Sequence, residues 1–357
     1  MTRTPPSGRL PPLGPAVRGS VLALTAAVLF GVSTPLVRQF GVGTGAFSTA
    51  ALLYLGAALA GALLRRPVER EARLALGDVR RLLAMAGAGA VIGPVALAWG
   101  LQRTGATSAS LVLALEAVFT ALLALRLYGE PMDRRVWTAM LLLTGGGVLL
   151  LANQAGARGA GLSGLLAVLL ATAAWGVDNT LSRSLAERDP GQVVLAKCVL
   201  GAAATSTLAL VFGESLPAPG AAFGLLAVGA TGYGLSLRCY LLAQRSFGAA
   251  RTGSVFAFAP FIGATLAVAM GDPSVGWLTA AGGGLMLAGV MLHVFERHEH
   301  DHEHVATAHE HAHGHADGHH DHAHEPMPPG QHSHWHRHAA LRHRHPHVPD
   351  AHHAHRH

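Results

Sequence analysis

The residues most able to do chemistry sit at the end of the chain. All 24 histidines lie at or beyond His293, and from His298 they alternate with Asp, Glu, Ala and Gly in HEHDHEHVATAHEHAHGHADGHHDHAHE. Neutral imidazole suits Ni, Zn, Co and Cu, and interleaved carboxylates add oxygen ligands. The candidate ligands are His298, His300, His302, His304, His309, His311, His313, His315, His319, His320, His322 and His324. The segment has no apolar face to bury, so it is expected to be disordered without a ligand. Alternate spacing on a flexible chain predicts a sponge for several ions, not one closed tetrahedral site. An affinity tag is a uniform histidine run, unlike this long stretch mixed with carboxylates. Two other readings are a pH-responsive polyelectrolyte and a segment that contacts anionic lipid.

A second set of groups lies isolated in apolar surroundings. Glu116 stands in LVLALEAVFTALL, Asp178 and Asn179 in AAWGVDNTLSR, and Lys197, the sole lysine, in GQVVLAKCVLGAAA. Ionisable side chains are expensive inside a membrane and mark pathways by default. Glu116 is read either as a proton- or cation-coupling group or as a carboxyl shared between packed helices. Asp178 and Asn179 form a polar step, with Ser33 and Thr34 at the positions 145 residues earlier. That step suggests a polar cavity between the first and sixth spans, or helix–helix hydrogen bonding. Lys197 lies too deep to snorkel, so it needs a carboxylate, Glu116 or Asp178, or an anionic substrate group. Arg238 is a similar, weaker case. Of the aromatics, Trp175 neighbours the Asp178 step, whereas Trp99 and Tyr233 are read as interfacial or packing residues.

These groups need elements to hold them. Runs such as GSVLALTAAVLFGVSTPLV and GLLAVLLATAAWGVDNTLS are long enough to cross a hydrocarbon layer of about 30 Å. Ten spans are expected, at 19–38, 44–64, 82–101, 107–127, 137–153, 162–182, 192–212, 222–243, 252–270 and 275–295. The fold class is therefore an all-α membrane protein. Residues 1–18 form a Pro-rich disordered lead, and 296–357 the histidine tail. The first apolar stretch is too long for a signal peptide and lacks a clean cleavage site. Cys198 and Cys239 fall inside spans and are read as small apolar fillers.

Arginines sort the connections. Sixteen lie in the N-terminal segment and alternate connections, against three (Arg38, Arg103 and Arg158) in the others. Both termini, and with them the tail, are thereby expected in the cytoplasm of an inner-membrane protein. This sorting also disfavours nucleic acid as a partner for the basic chain. The Gly-rich TGGGVLL and AAGGGLMLAGV lack a phosphate-loop ending and context, and fit close helix packing instead.

The chain also repeats itself. FGVSTPLVR (Phe30 to Arg38) aligns with WGVDNTLSR (Trp175 to Arg183), and YGEP (Tyr128 to Pro131) recurs as MGDP (Met270 to Pro273). With five spans per half, the second half enters from the opposite side, an inverted repeat of the kind used for alternating access.

GATSASLVLALEAVFTALLALRLYGEP and GAARTGSVFAFAPFIGATLAVAMGDP resemble the paired repeats of EamA-type permeases in the drug/metabolite transporter superfamily. The resemblance covers residues 19–153 and 162–295. Gly105, Gly129 and Glu130 carry it in the first half, and Gly248, Pro260, Phe261 and Gly271 in the second. Ala117 stands where the first repeat often has Pro, Asp272 replaces the closing Glu, and the second span, which carries Arg in many members, here has only apolar residues and Tyr54. The resemblance implies a secondary transporter, often a metabolite exporter; no nucleophile–base constellation or cofactor loop in the sequence points to an enzyme. The resulting expectation is a small-molecule exporter with a metal-binding tail, requiring no cofactor, with the bilayer, transition metal ions (Ni, Zn or Co) and a second copy in a homodimer as partners. The alternatives are a Ni, Co or Zn transporter loaded by its tail, and a non-transporting metal buffer. The membrane region contains no histidine, no methionine stripe and no paired carboxylates at i, i+4, which separates the tail's chemistry from the pathway.

Overall fold

The computed structural model describes residues 15–64, 74–128, 132–155, 160–182, 185, 188–247, 249–273 and 275–294, and the backbone of 299–304, 307–313, 332–338 and 341–346. Gly129, Glu130, Gly248, His298, His315, His319, His320, His322 and His324 lie outside these residues.

From Pro15 to Val294 the described chain is built of helices. These are α1 (Pro15–Gly41), α2 (Ala46–Leu63), α3 (Val79–Met85), α4 (Gly93–Leu101), α5 (Ala106–Val112), α6 (Glu116–Tyr128), α7 (Arg134–Ala155), α8 (Ala160–Ser182), α9 (Pro190–Val211), α10 (Pro219–Val228), α11 (Ser236–Phe247), α12 (Ala249–Phe256), α13 (Ala259–Ala269) and α14 (Trp277–Val294). Among the described residues, nine helical stretches are long and apolar enough to cross a membrane. The apolar part of α14, Trp277–Leu292, is shorter. The chain is thus a multi-pass membrane protein. Large aliphatics such as Leu24, Leu59, Leu141 and Leu170 are exposed, as suits side chains facing lipid. Alanines 23, 26, 27, 50, 57 and 171 are fully buried, which lets helices approach closely where lipid removes any hydrophobic drive between them.

Several stretches are single rods with local breaks. α3 and α4 are joined by a π-helical turn, Ala86–Ile92 (AGAGAVI), and α10 and α11 by another, Gly229–Leu235 (GATGYGL). The two turns stand 143 residues apart. A 3-10 turn, Leu113–Leu115, separates α5 from α6, and Ala257–Phe258 separates α12 from α13. Each break loosens the backbone ladder in mid-span, where such bulges serve functional sites.

The helices pack in a regular scheme. α2 lies along α9, and α7 along α14; α1 packs on α11, and α4 on α8; α1 also packs on α13, and α6 on α8.

Two ends of the bundle differ in their turns. Gly213 (φ 66°) and Gly271 (φ 83°) end α9 and α13 in the left-handed conformation that glycine adopts without strain. Each is followed by an acid that accepts from the start of another helix. Glu214 takes the Phe47 and Ser48 amides of α2 at 3.2 and 2.7 Å, and Asp272 takes the Thr107 amide of α5 at 2.7 Å. In the MGDP copy of the motif, the Gly-acid step is therefore a turn plus a cap for a neighbouring helix, and Gly213-Glu214 makes the same kind of turn and cap after α9.

The backbone of the tail forms β1 (Glu299–His304) antiparallel to β4 (Leu341–Pro346), and β2 (Thr307–His313) antiparallel to β3 (His332–His338). The histidine alternation has the two-residue period of a strand, a pattern the sequence reading treated only as ligand spacing.

Candidate functional site

The isolated polar residues converge. Asp178 and Asn179 follow one another near the end of α8 and reach different helices. Lys197, two turns into α9, donates from Nζ to Asp178 Oδ2, and Asn179 donates to Glu116 Oε1 at the start of α6. Asp178 and Lys197 are only 5 % and 3 % exposed, so the pair is shielded from solvent. Of the two expected partners for Lys197, Asp178 holds it. The second Asp178 oxygen, Oδ1, is buried with no hydrogen-bond partner among the described residues. A buried carboxylate oxygen left over in this way can receive a donor from outside the protein.

Backbone irregularity sustains the arrangement. The Gly89 carbonyl, in the first π-helical turn, accepts from the Trp175 indole at 3.0 Å and from the Tyr54 hydroxyl. A Cβ at Gly89 would run into the Asp178 carboxylate, so only glycine lets the π turn lie against the ion pair.

Rings complete the walls. Phe30 stands edge-on to Trp175 and Tyr233, at 5.7 and 5.9 Å between centroids, and 5.4 Å from Phe256. Tyr54 meets Tyr233 at 5.6 Å, and Tyr240 meets Phe256 at 5.0 Å. These aromatics, Glu116, Asp178, Asn179 and Lys197 line one cavity of about 60 Å³. That is far below the roughly 300–1,000 Å³ of sites enclosing a drug-sized ligand, so a solute of that size requires the helices to part.

Three expected pathway residues lie elsewhere. Ser33 and Thr34 are buried but do not line the cavity; the Ser33 hydroxyl donates to the Phe30 carbonyl at 2.6 Å, and its Cβ packs where Gly232 has no side chain. Their spans touch the site through Phe30 instead. Arg238 donates to the Leu64 carbonyl at the end of α2, where a guanidinium satisfies an orphan helix carbonyl, and it does not line the cavity. Tyr233, expected as a packing or interfacial ring, is a wall of the cavity, as are Tyr54, Tyr240, Phe30 and Phe256, which the sequence did not assign to the pathway. The spacing of Tyr233 and Tyr240, seven residues apart on one face, was a usable signal. Trp99 sits at an exposed helix end under the Arg103 guanidinium, 3.6 Å from its ring centre.

At the end of the bundle bearing the Glu214 and Asp272 caps, Arg38 donates to the Thr104 carbonyl and Gln102 to the Thr44 carbonyl at 2.8 Å. The site lies from mid-span toward the other end: Asp178 is near the finish of α8 and Lys197 near the start of α9.

A polar cluster walled by aromatic rings inside a multi-span bundle is a site for a small solute within a membrane protein. The profile of the EamA-like transporter family matches residues 17–152 and 162–295, and the chain belongs to that family. An uncharacterized transporter of Methanothermobacter thermautotrophicus is 26 % identical over 293 residues, covering 77 % of this chain and 85 % of its own. A crystal structure of a protein with 21 % identity superposes with a TM-score of 0.57 over 77 % of this chain and 94 % of that one, a likeness of fold.

Proposed function

We propose that the chain is a ten-span secondary transporter that exports a small organic solute by alternating access, coupled to protons, with both termini and a metal-binding tail in the cytoplasm. The observation that carries this reading is the cavity, to which both matched repeats contribute: Phe30, Tyr54 and Glu116 from the first, Trp175, Asp178, Lys197, Tyr233 and Tyr240 from the second. The packing scheme supports an inverted repeat. Exchanging the halves turns the α1–α11 contact into α8–α4 and the α1–α13 contact into α8–α6, while α2–α9 and α7–α14 map onto themselves. The equivalent π turns support the same symmetry. Such a bundle has two related packings, one open to each side.

Glu116 is the proposed proton carrier, because its carboxyl is bound by a neutral amide and not by the ammonium. Asp178 and Lys197 offer an acceptor and a donor to a solute bearing both functions, and the rings offer flat apolar surface. Transport of metal through the core is less supported: among the described residues no group of three or more His, Cys, Asp or Glu side chains comes together, and Lys197 opposes a cation at Asp178.

The test is reconstitution in vesicles with an internal pH dye, challenged with pools of small metabolites and, separately, with Zn²⁺ or Ni²⁺. Proton movement evoked by an organic solute and lost in Glu116→Gln supports the proposal. Metal flux without solute-evoked proton movement overturns it.

A further inference from the structure

We infer that α5 walls the half of the solute pathway that is shut in this structure, with Ser108 and Ser110 as its polar lining and Asp272 as the latch that keeps it shut. This rests on the alternating-access reading and deepens it by naming the helix, the groups and the bond involved.

The two halves are packed unequally. Aligning Gly105 with Gly248 sets α5 against α12, and Ser108 and Ser110 against Arg251 and Gly253. α5 is encased: every residue from Thr104 to Leu115 is buried, and the helix packs along α13. α12 is looser. Arg251 is exposed and each residue from Gly253 to Phe258 is partly exposed. Its relation to α6, the counterpart of α13, includes no comparable contact among the described residues. A Cβ at Gly253 would meet no described atom within 4 Å, whereas a Cβ on Gly263 of α13 would stand 3.0 Å from the Ser110 hydroxyl. Equivalent helices thus occupy a packed and an open setting in one molecule. An inverted repeat exchanges those settings when it switches sides, so α5 parts from α13 as α12 closes on α6.

The buried hydroxyls point the same way. Thr172, Thr180 and Thr205 each donate to the carbonyl four residues back in their own helix. The hydroxyls of Thr49, Thr104, Thr107, Ser108 and Ser110 are buried at the end bearing the Glu214 and Asp272 caps, with no hydrogen-bond partner among the described residues. An unpaired buried hydroxyl costs stability, and water reaching it relieves that cost. These groups favour opening of that end, so a bond must hold it shut. From the turn after α13, the Asp272 carboxylate accepts the Thr107 amide at 2.7 Å, across the seam between α13 and α5. Glu214 makes the same kind of bond to α2, but within the α2–α9 pair, which exchange of the halves leaves unchanged.

The test is the rate at which a charged, water-soluble thiol reagent labels single cysteines in the full-length protein in detergent, in a Cys198→Ala/Cys239→Ala background. The cysteines are Ser110→Cys on α5 and Gly253→Cys on α12. With Asp272 intact, Gly253→Cys is expected to label fast and Ser110→Cys slowly. Asp272→Ala should speed Ser110→Cys by about tenfold or more, the shift expected from losing one hydrogen bond to a charged group. Asp272→Asn keeps a neutral acceptor, should give a smaller rise, and carries the test if Asp272→Ala does not stay monodisperse. Glu214→Ala, which removes a cap of the same kind, should leave the Ser110→Cys rate unchanged. A wedge, Ser110→Trp, has no room against Gly263 and should slow Gly253→Cys by about tenfold or more. Unchanged labelling of Ser110→Cys when monodisperse protein loses the Asp272 carboxylate, or an equal rise with Glu214→Ala, overturns the inference and leaves alternating access to the flux assay. A faster Ser110→Cys with no slowing of Gly253→Cys by the wedge overturns alternating access and leaves α5 as a local opening.

Discussion

Lys197→Met removes the ammonium facing Asp178 and leaves a carboxyl buried at 5 % exposure with neither oxygen satisfied by a cation. Truncating one partner of a buried ion pair costs about 3–5 kcal/mol, whereas replacing both partners by well-packed neutral groups is often near neutral. Asp178→Asn isolates the ammonium in the same way. At roughly 2–4 °C per kcal/mol for a bundle of this size, each single variant should melt about 6–20 °C below wild type in detergent. The double variant Lys197→Met/Asp178→Asn should recover most of that loss. Transport should behave differently. The double variant restores electrical balance but neither the charged donor nor the charged acceptor, so solute flux in vesicles stays lost while stability returns. The assay is a four-cornered cycle read twice, by melting and by flux. Near-additive destabilisation in the double variant would show that the pair is not mutually neutralising. Full flux in the double variant would remove both residues from the transport mechanism.

Glu116→Gln keeps a hydrogen-bond partner for Asn179 but cannot release a proton; solute exchange down its own gradient should persist while uphill flux driven by a pH gradient disappears, as measured with labelled solute. Tyr54→Phe deletes one of two donors to the Gly89 carbonyl and should lower stability by about 1 kcal/mol, with the Trp175 bond retained; an unchanged melting point would show that the hydroxyl bond contributes nothing. Glu214→Ala uncovers two amides at the start of α2 and should cost about 1 kcal/mol, checked by thermal melting in detergent. Gly56→Leu should do more damage, since a Cβ there already meets the Leu226 carbonyl of α10, and loss of monodisperse protein in size-exclusion chromatography would report it.

Much of this was legible in the chain itself. Span-length apolar runs can only be membrane helices, because lipid offers no partner for an unsatisfied backbone, and periodicity need not be invoked. Glu116, Asp178, Asn179 and Lys197 announced themselves by cost alone: a titratable group in an apolar run demands a partner, and the partner had to be one of the few others. The repeat was visible in aligned motifs. What the sequence could not show was adjacency. Lys197 had two candidate carboxyls, and only the tertiary arrangement, in which α8 and α9 both pack on the π turn Ala86–Ile92, selected Asp178. Ser33 and Thr34 occupy positions matched to Asp178 and Asn179, yet they do not line the cavity; Ser33 packs against Gly232, and Phe30 reaches the cavity instead. Aromatic walls escaped notice because Tyr and Phe in a membrane helix look alike whether they face lipid, a neighbour or a cavity. The π turns, too, needed coordinates, since Gly-Ala runs suit close packing and backbone bulges equally. Composition and hydropathy thus determined the environment and the cost of each polar group, which are properties of single residues; the tertiary structure decided which groups meet, because contact between spans depends on helix rotation and depth that no local pattern encodes.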